Sequence, residues 1–238
     1  MRKVVLYTLM SLDGAVDDPA GYFTPGENAN QPPEFDSVME DNERKIIETQ
    51  DAVLLGRRMY DEWSRYWPAV DHQPFADFIN RVRKHVVTST PLSYEWHNSE
   101  PATEPVEDLV RGLKDRPGGD IGIHGSIQLA QSLLRAGLVD ELQLVVGPAF
   151  GFPGRRLFAS ADDIRRLELL SATPTPSGSV LLAYRVSGLV LSRRVTHPAE
   201  KQALSDLLTR LDQGTDVPGV TQDQIETARE EIARDMGW

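Results

Sequence analysis

The stretch D-I-G-I-H-G-S-I-Q-L-A, residues Asp120–Ala130, decides how the rest of the chain is interpreted. Apolar residues alternate over residues 120–124, which predicts a strand, and the spacing after Ser126 is that of a helix. Gly125 lies between the two patterns. The stretch therefore predicts a strand that turns directly into a helix, as in a parallel α/β sheet.

Strand and helix patterns alternate in the same way on both sides of this stretch. We predict further strands over residues 3–12, 51–55, 84–90, 138–146, 165–175 and 179–188, and helices over residues 34–49, 57–63, 104–115 and 126–134. The last two strands read as an antiparallel hairpin closed by Pro176-Ser177-Gly178. Because parallel strands need crossover helices, residues 1–187 are predicted to form a three-layer α/β domain with a mixed, mostly parallel sheet.

Residues 188–238 have a different composition and are expected to form a helical C-terminal extension. Two amphipathic patterns, residues 197–214 and 221–238, flank a short Pro-Gly linker. They are too short to bury a core by themselves. We therefore expect this extension to clamp a homodimer or to dock another protein.

The composition excludes several classes of function. The 238 residues include no cysteine, which excludes disulfides, thiolate catalysis and cysteine-ligated metal centres. The formal net charge of −11 argues against nucleic-acid binding, because neutralising phosphates needs a basic face. No segment approaches the roughly 20 apolar residues of a membrane span, and the five histidines lack metal-binding spacing. We expect a soluble, cytoplasmic protein without a metal site.

Two strand-to-helix junctions have residues suited to an anion. At the first, Gly56 lets the backbone turn and the following helix presents free N–H groups, with Arg57 and Arg58 beside them. An arginine supplies a bidentate partner for phosphate oxygens. At the second, the hydroxyl groups of Ser89 and Thr90 follow the next strand. Both junctions therefore offer donors to a phosphate or a ribose.

The third junction is the opening stretch, His124-Gly125-Ser126. Gly125 has no side chain that would block the close approach of a ligand, and Ser126 lies where a helix N-cap is expected. Because ligands of open α/β sheets bind beyond the carboxyl ends of the strands, the three junctions would form one phosphate-binding rim. The residues alone leave a simpler interpretation open, in which the glycines serve turn geometry and the hydroxyls only cap helices.

Four stretches together resemble the dihydrofolate reductase-like superfamily. They are SLDG at 11–14, LLGRRMYDEW at 54–63, IHGSIQLAQSLLRAGLVDELQL at 123–144 and GRRLF at 154–158. The nearest branch is the reductase (RibD C-terminal) domain family of the bifunctional riboflavin biosynthesis protein. The resemblance covers residues 2 to about 186 and implies a dihydrofolate reductase-like fold, with NADPH as the hydride donor.

The resemblance also implies where the cofactor binds. Arg57, with Ser89 and Thr90, would bind the 2′-phosphate, and the helix starts at Arg58 and Ser126 would bind the pyrophosphate. The complete set of cofactor-binding positions is then Gly56, Arg57, Arg58, Ser89, Thr90, His124, Gly125 and Ser126.

This chain departs from the pattern of its relatives at three positions. Met59 and Asp61 stand where relatives often have Thr and Glu, which removes one phosphate-binding hydroxyl. Ile123 stands where riboflavin-pathway enzymes tend to have an acidic substrate-binding residue. The substrate therefore stays open.

Reduction of a C=N or C=O bond needs a proton at the heteroatom, and a carboxyl group with a raised pKa can deliver it. In dihydrofolate reductases the carboxylate that contacts the pterin lies on the helix before the Gly-Arg junction. In this chain that position corresponds to Glu40, with Asp41 adjacent, and Asp36 is a more distant candidate. The alternative is a solvated charged helix face.

Taken together, the sequence predicts an NADPH-dependent reductase of a small heterocyclic substrate. The activity would be most like that of 5-amino-6-(5-phosphoribosylamino)uracil reductase in riboflavin biosynthesis. Two alternatives remain, a dihydrofolate or other pterin reductase, and an NADP(H)-binding interaction or regulatory protein without turnover. Oxidation of NADPH in the presence of each substrate distinguishes the three.

Overall fold

The computed structural model describes residues 2–17, 19–23, 35–158, 167–186 and 209. The strands in these residues are β1 (Val4–Ser11), β2 (Gln50–Gly56), β3 (Arg83–Val87), β4 (Ser99–Ala102), β5 (Asp120–His124), β6 (Glu141–Gly147), β7 (Leu167–Pro174) and β8 (Val180–Val186). The helices are α1 (Ala20–Phe23), α2 (Ser37–Glu48), α3 (Arg57–Tyr66), α4 (Phe75–Arg81), α5 (Val106–Lys114) and α6 (Ile127–Arg135), with a 3₁₀ turn at Trp67–Ala69. Apart from Thr209, the extension expected over residues 188–238 lies outside the described residues.

The strands form one sheet in the order β4-β3-β2-β5-β1-β6-β8-β7. The pairs among the first six are parallel, and β8 runs antiparallel to β6. The mixed, mostly parallel sheet expected from the sequence is therefore confirmed. Among the described residues, no helix is both long and apolar enough to cross a membrane.

The direction in which the chain crosses the sheet decides which face each helix covers. The connections from β1 to β4 step toward one edge, and those from β4 to β6 step back. Because strand–crossover–strand units are right-handed, α2, α3 and α4 lie on one face and α5 and α6 on the other. The packing agrees, since Ile47 of α2, Tyr60 of α3 and Ile79 of α4 share one cluster with Val53 of β2.

The central strands are buried on both faces, as parallel strands under two helical layers must be. Successive residues of a strand point to opposite faces. In β1, Val4 and Leu6 are fully buried on one face, and Val5 and Tyr7 are no more than 5% exposed on the other. Burial on both faces of the sheet is the physical reason why β1 is an almost continuous run of apolar residues.

Three short elements were not expected from the sequence. The helix α1 is a single turn inside a segment that reads as a Pro- and Gly-rich loop, and α4 lies in a stretch without strong periodicity. The strand β4 has the sequence SEPA, which has little strand propensity. Its proline is tolerated because β4 is the edge strand, where a missing N–H costs no ladder hydrogen bond.

Candidate functional site

A cavity of about 640 Å³ opens at the carboxyl ends of the central strands. Its lining residues include Tyr7 and Leu9 of β1, His124 at the end of β5, and Met59 and Trp63 of α3. The strands β1 and β5 are neighbours in the sheet, and their onward connections run in opposite directions. A crevice of this kind is where open α/β sheets bind their ligands.

Helix α2 places one carboxyl group inside the cavity. Met39, Glu43, Ile46 and Ile47 are its buried residues, and they recur at the spacing of one helix face. Glu43 is therefore a carboxyl group in an apolar stripe, and only 4% of it is exposed. Burial raises its pKa from 4.5 to about 7, and the charge of Glu40 adds to the effect.

The two carboxyl groups expected from the sequence lie elsewhere on the same helix. Glu40 and Asp41 are both exposed, and neither lines the cavity. Asp36 is the N-cap of α2, where its Oδ1 accepts hydrogen bonds from the backbone N–H groups of Val38 and Met39 at 3.0 Å. Glu43 was missed, although its place among the apolar positions of the helix was visible in the sequence.

Two further polar side chains form the floor of the cavity beside Glu43. Burial raises the pKa of the Tyr7 hydroxyl well above 10, and the charge of Glu43 raises it further. Burial lowers the pKa of His124 to about 3, so its ring is neutral near pH 7. Its Nε2 lies 2.8 Å from Oε1 of Gln50, which fixes the ring. The ring also lies 5.2 Å from that of Phe75.

Polar atoms of this floor are buried without a partner. Within the described part of the chain, Tyr7 Oη, Glu43 Oε2, Trp67 Nε1 and His124 Nδ1 have no hydrogen-bond partner, and all four residues line the cavity. Buried polar atoms in folded proteins are nearly always hydrogen-bonded, so these four groups suit a polar ligand. The rings of Trp63 and Trp67, 5.6 Å apart, add an apolar wall suited to a planar heterocycle.

Two ion pairs lie at the mouth of the cavity. Arg58 is mostly exposed and donates to Glu62 at 3.0 Å, and Arg155 donates to Asp17 at 2.9 Å. All four residues line the cavity. The hydrogen bond from Arg155 lowers the pKa of Asp17, so this carboxylate is ionised near neutral pH. The mouth is therefore charged and exposed, whereas the polar groups of the floor are buried.

The side chain of Arg57, at the first junction, makes its hydrogen bonds within the protein. Its Nε donates to both carboxylate oxygens of Asp61 at 2.8 and 3.0 Å, and its Nη1 donates to Thr90 Oγ1 at 2.6 Å and to the Pro91 carbonyl at 2.7 Å. The structure thus brings Arg57 and Thr90 into contact, and the exposed Ser89 is adjacent to Thr90 in sequence. A phosphate at this position would have to replace some of these contacts.

The first and third junctions are joined by a hydrogen bond. Gly125 and Ser126 both have left-handed backbone conformations, with φ values of 65° and 47°. This places Ser126 Oγ 2.9 Å from the backbone N–H of Gly56, which donates to it. Ser126 is the N-cap residue of α6, as expected from the sequence, but its side chain makes no hydrogen bond to the helix. The hydroxyl holds the ends of β5 and β2 together instead.

These junctions fit a phosphate-bearing group. The helices α3 and α6 begin at neighbouring strands, and the N-cap residue of neither helix makes a side-chain hydrogen bond to it. Unsatisfied N–H groups and the positive end of the helix dipole favour an anion at such a position. The described residues contain no group of three His, Cys, Asp or Glu side chains that could hold a metal ion.

Comparisons with known proteins agree with this architecture. The sequence profile of the RibD C-terminal domain family matches residues 2–181. The uncharacterized protein YyaP of Bacillus subtilis (strain 168) is 24% identical over 194 residues, which are 79% of this chain and 96% of that protein.

Two solved structures share the fold. A putative riboflavin biosynthesis protein from Shewanella sp. PV-4 has a TM-score of 0.58 at 17% identity, covering 77% of this chain and 98% of that chain. A diaminohydroxyphosphoribosylaminopyrimidine deaminase/5-amino-6-(5-phosphoribosylamino)uracil reductase from Thermotoga maritima has a TM-score of 0.52 at 15% identity, covering 78% of this chain and 56% of that chain. Since the family match covers most of the chain and the sheet agrees, the protein belongs to the RibD C-terminal domain family and has a dihydrofolate reductase-like fold.

Proposed function

We propose that this protein is an NADPH-dependent reductase of a small heterocyclic substrate. The observation that carries the proposal is Glu43, a buried carboxyl group without a hydrogen-bond partner for Oε2 among the described residues, in a cavity of about 640 Å³. The cavity lies beside two helix N-termini suited to phosphates. A reductase needs this combination, because it must bind a dinucleotide and protonate the acceptor beside it.

The cofactor would be held at the junctions between strands and helices. The backbone N–H groups at the starts of α3 and α6 suit the pyrophosphate, with Arg58 close by, and Gly125 leaves the backbone accessible. Arg57, with Ser89 and Thr90, suits the 2′-phosphate that distinguishes NADPH from NADH. When bound, the nicotinamide supplies the hydride.

Glu43 would supply the proton that accompanies the hydride. With a pKa of about 7, a large fraction of this carboxyl group is protonated near neutral pH. We assign Glu43 as the proton donor to the heteroatom of the reduced C=N or C=O bond. Tyr7 and His124 would position the ring through their unpartnered Oη and Nδ1 atoms, and Trp63 and Trp67 would exclude water from it.

The identity of the substrate is the finer part of the proposal. The reductase activity named for the Thermotoga maritima protein is the first candidate, 5-amino-6-(5-phosphoribosylamino)uracil reduction. A dihydrofolate or pterin substrate is the second, because Glu43 lies on the helix before the Gly56-Arg57 junction, where dihydrofolate reductases have their carboxylate. The homodimer, the cytoplasmic location and the division at residue 187 also remain predictions.

Purified full-length protein tests the proposal. NADPH is first titrated calorimetrically, and its oxidation is then followed by absorbance with the uracil ribotide, with dihydrofolate and with neither. We expect saturable NADPH binding and turnover of the ribotide. Turnover of dihydrofolate alone would replace the first substrate by the second, and binding without any turnover would identify a regulatory protein. Absence of NADPH binding would overturn the proposal as a whole.

The Glu43→Gln variant tests the role of the carboxyl group. It should bind NADPH like the unchanged protein and lose most of its turnover, about 10²-fold or more, as general acids typically contribute. Asp41→Asn is the matched control, because Asp41 is an exposed carboxylate on the same helix. Equal losses in the two variants would contradict the assignment of Glu43.

A further inference from the structure

The side chain of Met59 covers the backbone of Gly125. A Cβ atom built at Gly125 would lie 2.5 Å from Cε of Met59, closer than real Cβ atoms approach, and 3.3 Å from its Sδ, which is a tight contact. The methyl group of Met59 therefore fills the space that the missing side chain leaves. Met59 also lines the cavity, so this contact lies on its wall.

The same space is the one that a cofactor would need. A glycine between strand and helix allows a ligand to approach the backbone, and Gly125 has a positive φ of 65° that favours glycine. In this structure Met59 makes that approach instead, with Cζ2 of Trp63 3.6 Å from the same point. A ligand at the Gly125 backbone and the methyl group of Met59 would therefore occupy the same volume.

Methionine suits a role in which a group has to move aside. Its side chain is unbranched, has three rotatable bonds and adapts to irregular gaps. The atom nearest Gly125 is Cε, the far end of the chain, so rotation of the last bonds is enough to remove it. The backbone of α3 need not shift.

We propose that Met59 is a movable plug over Gly125, which a dinucleotide has to displace, and that it thereby sets the affinity of this protein for its cofactor. The inference rests on the proposed function, because it assumes that the dinucleotide binds at this junction. It assigns a role to a residue at which the chain departs from the pattern of its relatives. Met59 acts here by competing for space with the ligand and takes no part in proton transfer.

Calorimetric titration with NADPH of two variants tests the competition. Met59→Ala should bind NADPH about fivefold more tightly, because the cofactor would no longer have to displace a buried methyl group. The factor is the one expected for the burial of roughly one methyl group. In Met59→Ala/Gly125→Ala a fixed methyl group returns to the vacated space and cannot rotate away. This double variant should bind about tenfold more weakly than Met59→Ala. Thermal unfolding of each variant verifies that it is folded.

Two further variants separate the plug from general effects on the helix. Arg65→Ala changes an exposed residue of α3 whose contacts are the Asp61 carbonyl and the Tyr94 ring, away from the cavity. Its affinity for NADPH should equal that of the unchanged protein. Met59→Gln keeps the length of the side chain but replaces its methyl end with an amide, and should bind less tightly than Met59→Ala.

Methyl NMR gives a readout that does not depend on turnover. In protein labelled at the methionine methyl groups, the Met59 signal is the one absent from the Met59→Ala spectrum. Because Trp63 lies beside it, this signal should be displaced by the ring current, and saturating NADPH should move it toward the position of a solvated methionine.

The outcomes separate this inference from the proposed function. If NADPH binds, but the Met59 signal stays in place or Met59→Ala binds no more tightly, the plug is refuted and the reductase proposal stands. If no variant binds NADPH, both proposals fail together. A tighter Met59→Ala complex and a displaced methyl signal would establish the plug.

Discussion

The pH dependence of stability offers the sharpest test of the site, because the contribution of Glu43 to it can be isolated with a variant. Desolvation raises the pKa of Glu43 from 4.5 to about 7. The native state therefore keeps this proton in a pH range where the unfolded chain has already lost it. Because the native state holds more protons at Glu43 between pH 4.5 and 7, the contribution of Glu43 to the free energy of unfolding must fall as the pH rises through that range. His124, whose pKa is lowered by burial, contributes the opposite trend below pH 6.5, so the effect of Glu43 is measured as a difference between two proteins.

The size of the effect follows from the same values. The two pKa values differ by about 2.5, and each unit is worth about 1.4 kcal/mol, so the full effect is about 3–4 kcal/mol, of which about 3 kcal/mol develops between pH 4.5 and 8. Ionised Glu43 thus costs the native state about 3 kcal/mol above pH 7, a large part of the roughly 5–15 kcal/mol that stabilises a typical domain. The Glu43→Gln variant has no charge to bury and does not suffer this loss.

Urea unfolding of the two proteins between pH 4.5 and 8 measures this difference. The free energy of unfolding of Glu43→Gln minus that of the unchanged protein should increase by about 3 kcal/mol over the range, whatever its starting value. Asp41→Asn, an exposed control on the same helix, should follow the unchanged protein. A difference for Glu43→Gln that stays constant with pH would refute the reasoning, because Glu43 would then ionise as freely in the native state as in the unfolded chain.

Two further variants test how the site is positioned. Ser126→Ala removes the hydroxyl that accepts a hydrogen bond from the Gly56 N–H. It should lower the free energy of unfolding by about 1–3 kcal/mol, because that donor is left without its partner. Urea unfolding measures the loss, and a change below about 0.5 kcal/mol would contradict the expectation. Asp36→Ala removes the N-cap of α2 and should cost about 1 kcal/mol, whereas Asp36→Asn should recover most of this stability because asparagine also caps helices; equal losses in the two variants would show that the cap geometry is unimportant.

The site could be predicted from sequence only in part. The junctions at Gly56 and Gly125 could be predicted from local patterns. The strand pattern before each glycine and the helix pattern after it show where the backbone has to turn. The direct hydrogen bonds of Arg57 to Asp61 and Thr90 were not predicted, since Arg57 and Thr90 were grouped only as partners of a phosphate. The resemblance placed the proton donor at Glu40, with Asp41 adjacent, by counting back from Gly56. The carboxyl group that the structure buries is Glu43, which lies on the apolar face of the same helix.

Local sequence patterns are enough to predict the class of fold and the edge of the sheet at which a ligand site is expected. Alternating strand and helix patterns indicate parallel strands joined by crossover helices. The carboxyl ends of parallel strands lie at the same edge of the sheet, whatever the order of the strands. The polar groups that meet in the cavity, and their pKa values, depend on the tertiary structure. Tyr7, Glu43 and His124 are far apart in the chain and meet because β5 lies beside β1 beneath α2. The physical reason is that the desolvation of a group depends on all the residues packed around it. Those residues come from distant parts of the chain, so a local sequence pattern does not reveal them.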